Sequence, residues 1–311
     1  MSGRNFWIGA VAVLILGVGL PLAPFINEYV FYAGYMVLTF VVLATAWNIL
    51  GGYAGYVNFG PPAFFGIGSY AAVVLFKSLN APLVVQIAGA ALMGGLLGLG
   101  VGAMTLRLRG IFFAIATVAI TFILETLMVN WRYVGGATGL QLLRPPVELY
   151  ASYTRMLFAV MVAMSVGAVA IARYIQTSWL GRGLRSLRDS EEAAEASGVP
   201  TLKLKLFACA VSGGLMGAAG APMPMYLSFI EPASTFNLSY TVGSLGGAII
   251  GGMAHWAGPI VGAILLGTLQ QVVTVTISNE MNVLVVGVLL VVFVVAAPEG
   301  ILGLARKIFR R

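Results

Sequence analysis

The sequence predicts an all-α protein that crosses a membrane about ten times, with both termini cytoplasmic, and three observations predict it. Charged residues make up only 9% of the 311 and hydrophobic residues 60%, with a mean hydropathy of +0.98. A soluble domain carries roughly 25% charge. Apolar runs of about 20 residues, the length that crosses ~30 Å of hydrocarbon, recur along the chain. The cations gather in alternate connections, as the positive-inside rule requires. Alternating ten-residue strands, the mark of a membrane barrel, are absent from the sequence.

The spans are read at roughly 6–26, 30–50, 57–77, 83–106, 111–130, 155–175, 205–228, 238–254, 258–276 and 281–297. They form one transmembrane domain over 1–311. Spans 1–6 occupy about 6–175, a polar loop 176–204, and spans 7–10 about 205–297. The first span resembles a signal peptide, but Pro21–Pro24 offers no small-residue cleavage site, so an uncleaved span is expected. With both termini inside, 13 of the 17 cations are cytoplasmic: Arg4, Arg107, Arg109, Arg173, Arg182, Arg185, Arg188, Lys203, Lys205, Arg306, Lys307, Arg310 and Arg311. Only Lys77, Arg132, Arg144 and Arg155 fall outside. The net charge of +7 therefore reflects span ends and points to the membrane, not to nucleic acid.

The third segment, Gly51–Pro62, is too rich in Gly and Pro for a simple helix end. It reads as a discontinuous element inside the bundle, since irregular backbone in a membrane must be buried in protein or line a cavity. An ordinary Gly-rich turn is the alternative. Gly251-Gly252 and Gly258-Pro259 echo Gly51-Gly52 and Gly60-Pro61, which fits an internal repeat and fits chance equally well. Small residues four apart (Gly94, Gly98 and Gly102; Gly213 and Gly217; Gly243, Gly247 and Gly251) read as close helix packing, with a path-lining role as the alternative.

Little in the chain supports enzyme chemistry. The single cysteine, Cys209, has no intrachain partner, and with one histidine, His255, a Cys/His metal cluster is excluded. No paired catalytic carboxylates, H-E-x-x-H or Ser/His/Asp set can be assembled. None of the four lysines follows a glycine, so no Walker A sequence exists and ATP hydrolysis, if used, belongs to another chain. Glu125, about three-quarters of the way along the fifth span, is the one carboxylate clearly within a span. It either marks a path or pairs locally near Asn130 and Arg132.

The loop at 176–204 predicts its own helix. Asp189 is read as the N-cap, with Glu192 returning to it in a capping-box-like start. Gly198 supplies the C′ stop and Pro200 blocks continuation. The helix over 190–197 is about two turns, ~12 Å, and Ala193, Ala194 and Ala196 keep it slim enough to enter a groove on a partner.

Glu192-Ala193-Ala194-x-x-x-Gly198 resembles the E-A-A-x-x-x-G coupling motif of ABC importer permeases. Gly51–Tyr70, Gly110–Thr117, Gly135–Leu140, Trp179–Asp189, Gly251-Gly252 with Gly258-Pro259, and Pro298–Gly303 resemble, in order, the pattern of the branched-chain amino acid ABC transporter permease family, LivM type. Pro61, where relatives often carry histidine, and Ala297, where a basic residue often stands, depart from it.

The resemblance implies one of two different homologous permease subunits of an importer for branched-chain amino acids in the bacterial inner membrane. Relatives also move other amino acids, urea or short amides. It implies two ATP-binding cassette subunits that bind ATP and Mg, an extracytoplasmic substrate-binding protein, and no cofactor or metal in this chain. It places Asp189, Glu192, Ala193, Ala194 and Gly198 at the ATPase. Irregular backbone and rare polarity make Tyr56, Asn58, Phe59 and Glu125 the candidates for a translocation path. An ATP-independent channel or secondary transporter is the alternative of a different class.

Overall fold

The computed structural model describes residues 3–23, 25–105, 110–146, 150–276, 279–297 and 299–309. Pro24, Arg107, Arg109, Pro298, Arg310 and Arg311, which entered the sequence reading, lie outside the described residues. The helices are α1 (Gly3–Gly19), α2 (Glu28–Asn48), α3 (Pro61–Leu79), α4 (Leu83–Thr105), α5 (Ile111–Asn130), α6 (Tyr153–Thr177), α7 (Trp179–Asp189), α8 (Glu191–Ala196), α9 (Thr201–Gly220) and α10 (Met223–Leu227). They continue with α11 (Pro232–Thr235), α12 (Ser239–Gly251), α13 (Gly258–Thr276), α14 (Asn279–Ala296) and α15 (Gly300–Phe309). Two short strands, β1 (Leu140–Gln141) and β2 (Phe229–Ile230), pair antiparallel.

Eight described helices are long and apolar enough to cross a membrane. The segment expected at 238–254 differs: its helix, α12, has 13 residues and reaches only ~20 Å, short of the ~30 Å hydrocarbon core. Gly252, at a φ of 107°, turns the chain out of it. The segment expected at 281–297 is α14, whose described apolar stretch is Leu284–Phe293.

Helix α2 is the axis of the molecule. It is buried continuously from Thr39 to Asn48 and packs against α6, α9, α12 and α13. Its start is capped by Asn27, whose side chain accepts from the Tyr29 N–H at 3.0 Å. Ser152 caps α6 in the same way. Helix α1 is peripheral. Trp7, Ile8, Val11, Ile15 and Leu16 are exposed along it, as expected of a helix bathed in lipid.

Arg155 fastens α1 to the rest. Its side chain is 6% exposed, and the guanidinium donates to Glu28 Oε1 at 2.6 Å, to the Pro21 and Ala23 carbonyls at 3.1 and 2.8 Å, and to the Ile26 carbonyl at 3.0 Å. It also lies over the Phe31 ring. A planar fork with five donors is the side chain that can satisfy so many acceptors in one loop. Arg155 and the α7–α8 segment sit at opposite ends of the 25-residue α6.

The glycine rows are packing, as the sequence suggests. A Cβ placed on Gly94 would fall on the Gly213 carbonyl, one on Gly213 on the Gly94 carbonyl, and one on Gly217 on the Ala90 carbonyl. Helices α4 and α9 thus meet backbone to backbone, the contact that small residues permit in a bilayer. The Gly135–Leu140 motif has a different use. It carries the chain through two 3-10 turns into β1, and Gly139 lies against the Ile230 carbonyl of β2.

Replacing Gly94 by Val is expected to cost roughly 1–3 kcal/mol or more, the usual penalty of overpacking. Gly100→Val, on the same helix but with open space around its Cα, should stay within about 0.5 kcal/mol. Thermal unfolding of the two variants in detergent checks the contrast.

Candidate functional site

The region 49–60 is a break between two helices. Helix α2 loosens into a π-helical turn, Ile49–Tyr53, and residues 55–60 run without regular structure before Pro61 and Pro62 open α3. The break therefore is a discontinuous element and not a simple turn. Gly55 makes it possible. Its φ of +80° suits glycine, and a Cβ there would strike the Arg188 side chain.

Four backbone contacts tie this break to four different helices. Trp47 Nε1 on α2 donates to the Asn58 carbonyl at 2.7 Å. The Phe59 N–H donates to Thr117 Oγ1 on α5 at 3.1 Å, and Thr241 Oγ1 on α12 donates to the Phe59 carbonyl at 2.9 Å. Asn58, which is 1% exposed, turns its Oδ1 back to the Gly60 N–H at 2.7 Å, an Asx-type closure. Arg188 Nη1 on α7 donates to the Gly52 carbonyl at 3.1 Å.

Helices α7 and α8 form a shelf beneath this break. Helix α7 is amphipathic: Gly181, Leu184 and Leu187 are buried, Arg182 and Arg185 are exposed, and Arg188, also exposed, reaches across to the break. Helix α8 ends in a Schellman closure, with the Gly198 N–H on the Glu195 carbonyl at 2.9 Å and the Val199 N–H on the Ala194 carbonyl at 3.0 Å. Gly198 has the required left-handed φ of +78°.

Its start corrects the sequence reading. Asp189 is the last residue of α7, and the N-cap of α8 is Ser190, whose Oγ accepts from the Ala193 N–H at 3.3 Å. Glu192 therefore stands at the second helical position, not three residues past the cap. Both Asp and Ser cap helices well; the last turn of α7 claims Asp189 and leaves Ser190 as the first extended residue. Ala194 is also not part of an outward face. It is buried, while Glu192, Ala193, Glu195 and Ala196 are exposed.

Between shelf and break lies a cleft of about 650 Å³. Tyr56, Val57 and Phe59 line one wall and Leu187, Arg188 and Glu191 the other. Tyr56, half-buried with its ring edge-on to Phe113 of α5, donates to Glu191 Oε2 at 2.7 Å. Glu191 Oε1 accepts from the Lys205 ammonium on α9. The sequence stretches 51–62, 110–117 and 179–189, singled out above for their pattern, thus converge on one cleft.

A family described as branched-chain amino acid transport system / permease component matches residues 29–294. The chain belongs to the branched-chain amino acid permease family. It is 25% identical over 324 aligned residues to the high-affinity branched-chain amino acid transport system permease protein LivM of Escherichia coli (strain K12), covering 95% of this chain and 75% of that protein. LivM of Salmonella typhimurium is 24% identical over 87% of this chain and 69% of its own length. Similarity extends to a LivH permease of the same organism, 23% identical over 49% of each chain. This permease is accordingly a multi-pass protein of the cytoplasmic (inner) membrane, in a family of transport subunits rather than enzymes.

Of the residues expected at a path, the structure of the permease brings Tyr56, Asn58 and Phe59 together in the break. Glu125 stands apart. It is half-buried on α5, eight residues or ~12 Å along the helix from Thr117, and no cation among the described residues pairs with it. Of the residues expected at a partner surface, Glu192 and Ala193 are exposed on α8 and Gly198 just past its end, while Asp189 is exposed at the end of α7 beside Arg188 at 3.4 Å. The sequence does not mark Glu191, Thr117 or Thr241 as site residues and counts Lys205 only among the cytoplasmic cations, although Glu191 lies in the predicted loop helix and Thr117 in the patterned stretch 110–117.

Ser190→Ala should weaken α8 locally by about 1 kcal/mol, the usual loss of an N-cap. Asp189→Ala removes only an exposed ion pair and should change it by less than about 0.5 kcal/mol. Amide exchange at Ala193–Ala196 reads both.

Proposed function

We propose that this chain is one of two homologous permease subunits of an ATP-binding cassette importer for branched-chain amino acids. The observation that carries the reading is the exposed, capped helix α8, with Glu192-Ala193-Ala194 and its Gly198 stop, held on the most cation-rich connection of the chain. Such a helix, terminated at both ends by its own residues, presents a fixed shape to a partner.

In this reading α8 and the end of α7, from Asp189 to Gly198, dock on an ATPase subunit. ATP and Mg are bound by two such subunits, and an extracytoplasmic binding protein delivers leucine, isoleucine or valine. Both termini are cytoplasmic. Closure of the ATPases rocks the helices and alternates access to a path shared with the second permease. Tyr56 and Phe59 line its cytoplasmic part, and Asn58, buried and turned back on the Gly60 N–H, shapes the break behind them. Glu125, on the same α5 that borders the break, is the candidate nearer the outer side.

The break suits this role. Four of its backbone groups are bonded to α2, α5, α7 and α12, so relative movement of these helices changes its shape. A segment of regular helix, bonded only to itself, would not respond in this way.

Co-purification with the ATPase subunits tests the docking. The double variant Glu192→Ala, Gly198→Val removes an exposed acid and forces a β-branched residue into a left-handed φ, which costs roughly 1–3 kcal/mol. It should lose most ATPase association while the permease remains folded by thermal unfolding. Unchanged association overturns the docking role. Leucine flux through the purified single chain in liposomes without nucleotide would instead establish a channel or secondary transporter.

A further inference from the structure

We infer that Glu191 is the positioning residue through which movement of α8 reaches the break, with Tyr56 and Lys205 as its two partners. The inference rests on the importer reading above and names the transmission element inside it.

Glu191 is the first residue of α8 and shares its carboxylate between two other elements. Oε2 accepts from Tyr56 OH on the break at 2.7 Å, and Oε1 accepts from Lys205 on α9. The Lys205 ammonium also lies 5.1 Å from the Tyr56 ring centroid. Each of the three side chains thus touches the other two. The Lys205 and Glu191 side chains are only 8% and 14% exposed. Drawing Glu191 away from this site would separate the buried Lys205 ammonium from its carboxylate, an expensive state, and would break the Tyr56 hydrogen bond. The cheaper response to a pull on α8 is for Tyr56 and Lys205 to follow.

Tyr56 is 135 residues away from Glu191 in sequence, so the backbone cannot transmit that pull directly. A second tie strengthens the first. Arg188, one turn before α8, holds the Gly52 carbonyl at the start of the break, four residues before Tyr56. The shelf therefore grips the break at two points, and the grip is lateral, across the cleft rather than along a helix axis.

The complete importer in liposomes, with its ATPases and binding protein, tests this with radiolabelled leucine. Tyr56→Phe deletes one hydroxyl and keeps the ring and the Glu191–Lys205 pair. It should co-purify with the ATPases as the wild type does and hydrolyse ATP within about twofold of it, while leucine moved per ATP falls roughly tenfold, the scale of one charge-assisted hydrogen bond. Glu191→Gln should lower the same ratio. The double variant should be no worse than Glu191→Gln alone, because both changes cut one link.

An unchanged ratio in Tyr56→Phe overturns the inference, and so do additive losses in the double variant. Loss of ATPase association in Tyr56→Phe also overturns it, since the bond would then serve docking. A wild-type importer whose uptake ignores ATP overturns the importer reading itself, before any variant is compared.

Discussion

The structure is organised by the need to satisfy an interrupted backbone. Where α2 gives way at Ile49 and α3 has yet to begin at Pro61, carbonyl and amide groups lose their helical partners inside an apolar bundle. Leaving one such group unmet costs several kcal/mol in an apolar surround. The bundle answers with one donor or acceptor from each neighbour: Trp47, Thr117, Arg188 and Thr241. The positions of α5, α7 and α12 follow from that. Each must bring one polar side chain to one backbone atom, and a shift of an ångström in any of them breaks a bond.

The same arrangement explains why stretches scattered through the sequence matter together. Gly55 clears room for Arg188, Phe113 backs Tyr56, and Thr117 holds Phe59. The opposite end of the bundle is closed by simpler means. Arg155 gathers the loop between α1 and α2, and β1 pairs with β2. One end is thus fixed by a few saturated contacts, and the other is held by bonds shared among several helices around a cleft.

What could be read from the sequence was whatever depends on near neighbours. The spans follow from local hydropathy, and the Gly198 stop from the conformational freedom of one residue. The break was legible because Gly and Pro crowd into twelve residues. The cap of α8 was not, because Asp189 and Ser190 are equally good caps and the choice depends on α7, whose helix the polar loop concealed. The 238–254 run carries no charge, but its helix starts where Asn237 Oδ1 accepts from the Ser239 N–H and ends where Gly252 takes a positive φ, neither of which hydropathy reads. Glu191 was overlooked beside Glu192 because its partners, Tyr56 and Lys205, come from segments that only the fold brings near.

The backbone contact between α4 and α9 has one more consequence. Side chains at an ordinary helix interface absorb small displacements by changing rotamer, which lets two helices slide past each other. Gly94 against Gly213, and Gly217 against Ala90, leave no rotamers to change. The two helices therefore behave as a single stiff plate. Because α9 starts five residues after α8 ends, that plate is a lever arm attached at its very edge. A tilt that reached this edge in the proposed cycle would be carried by both helices together, without repacking at these contacts.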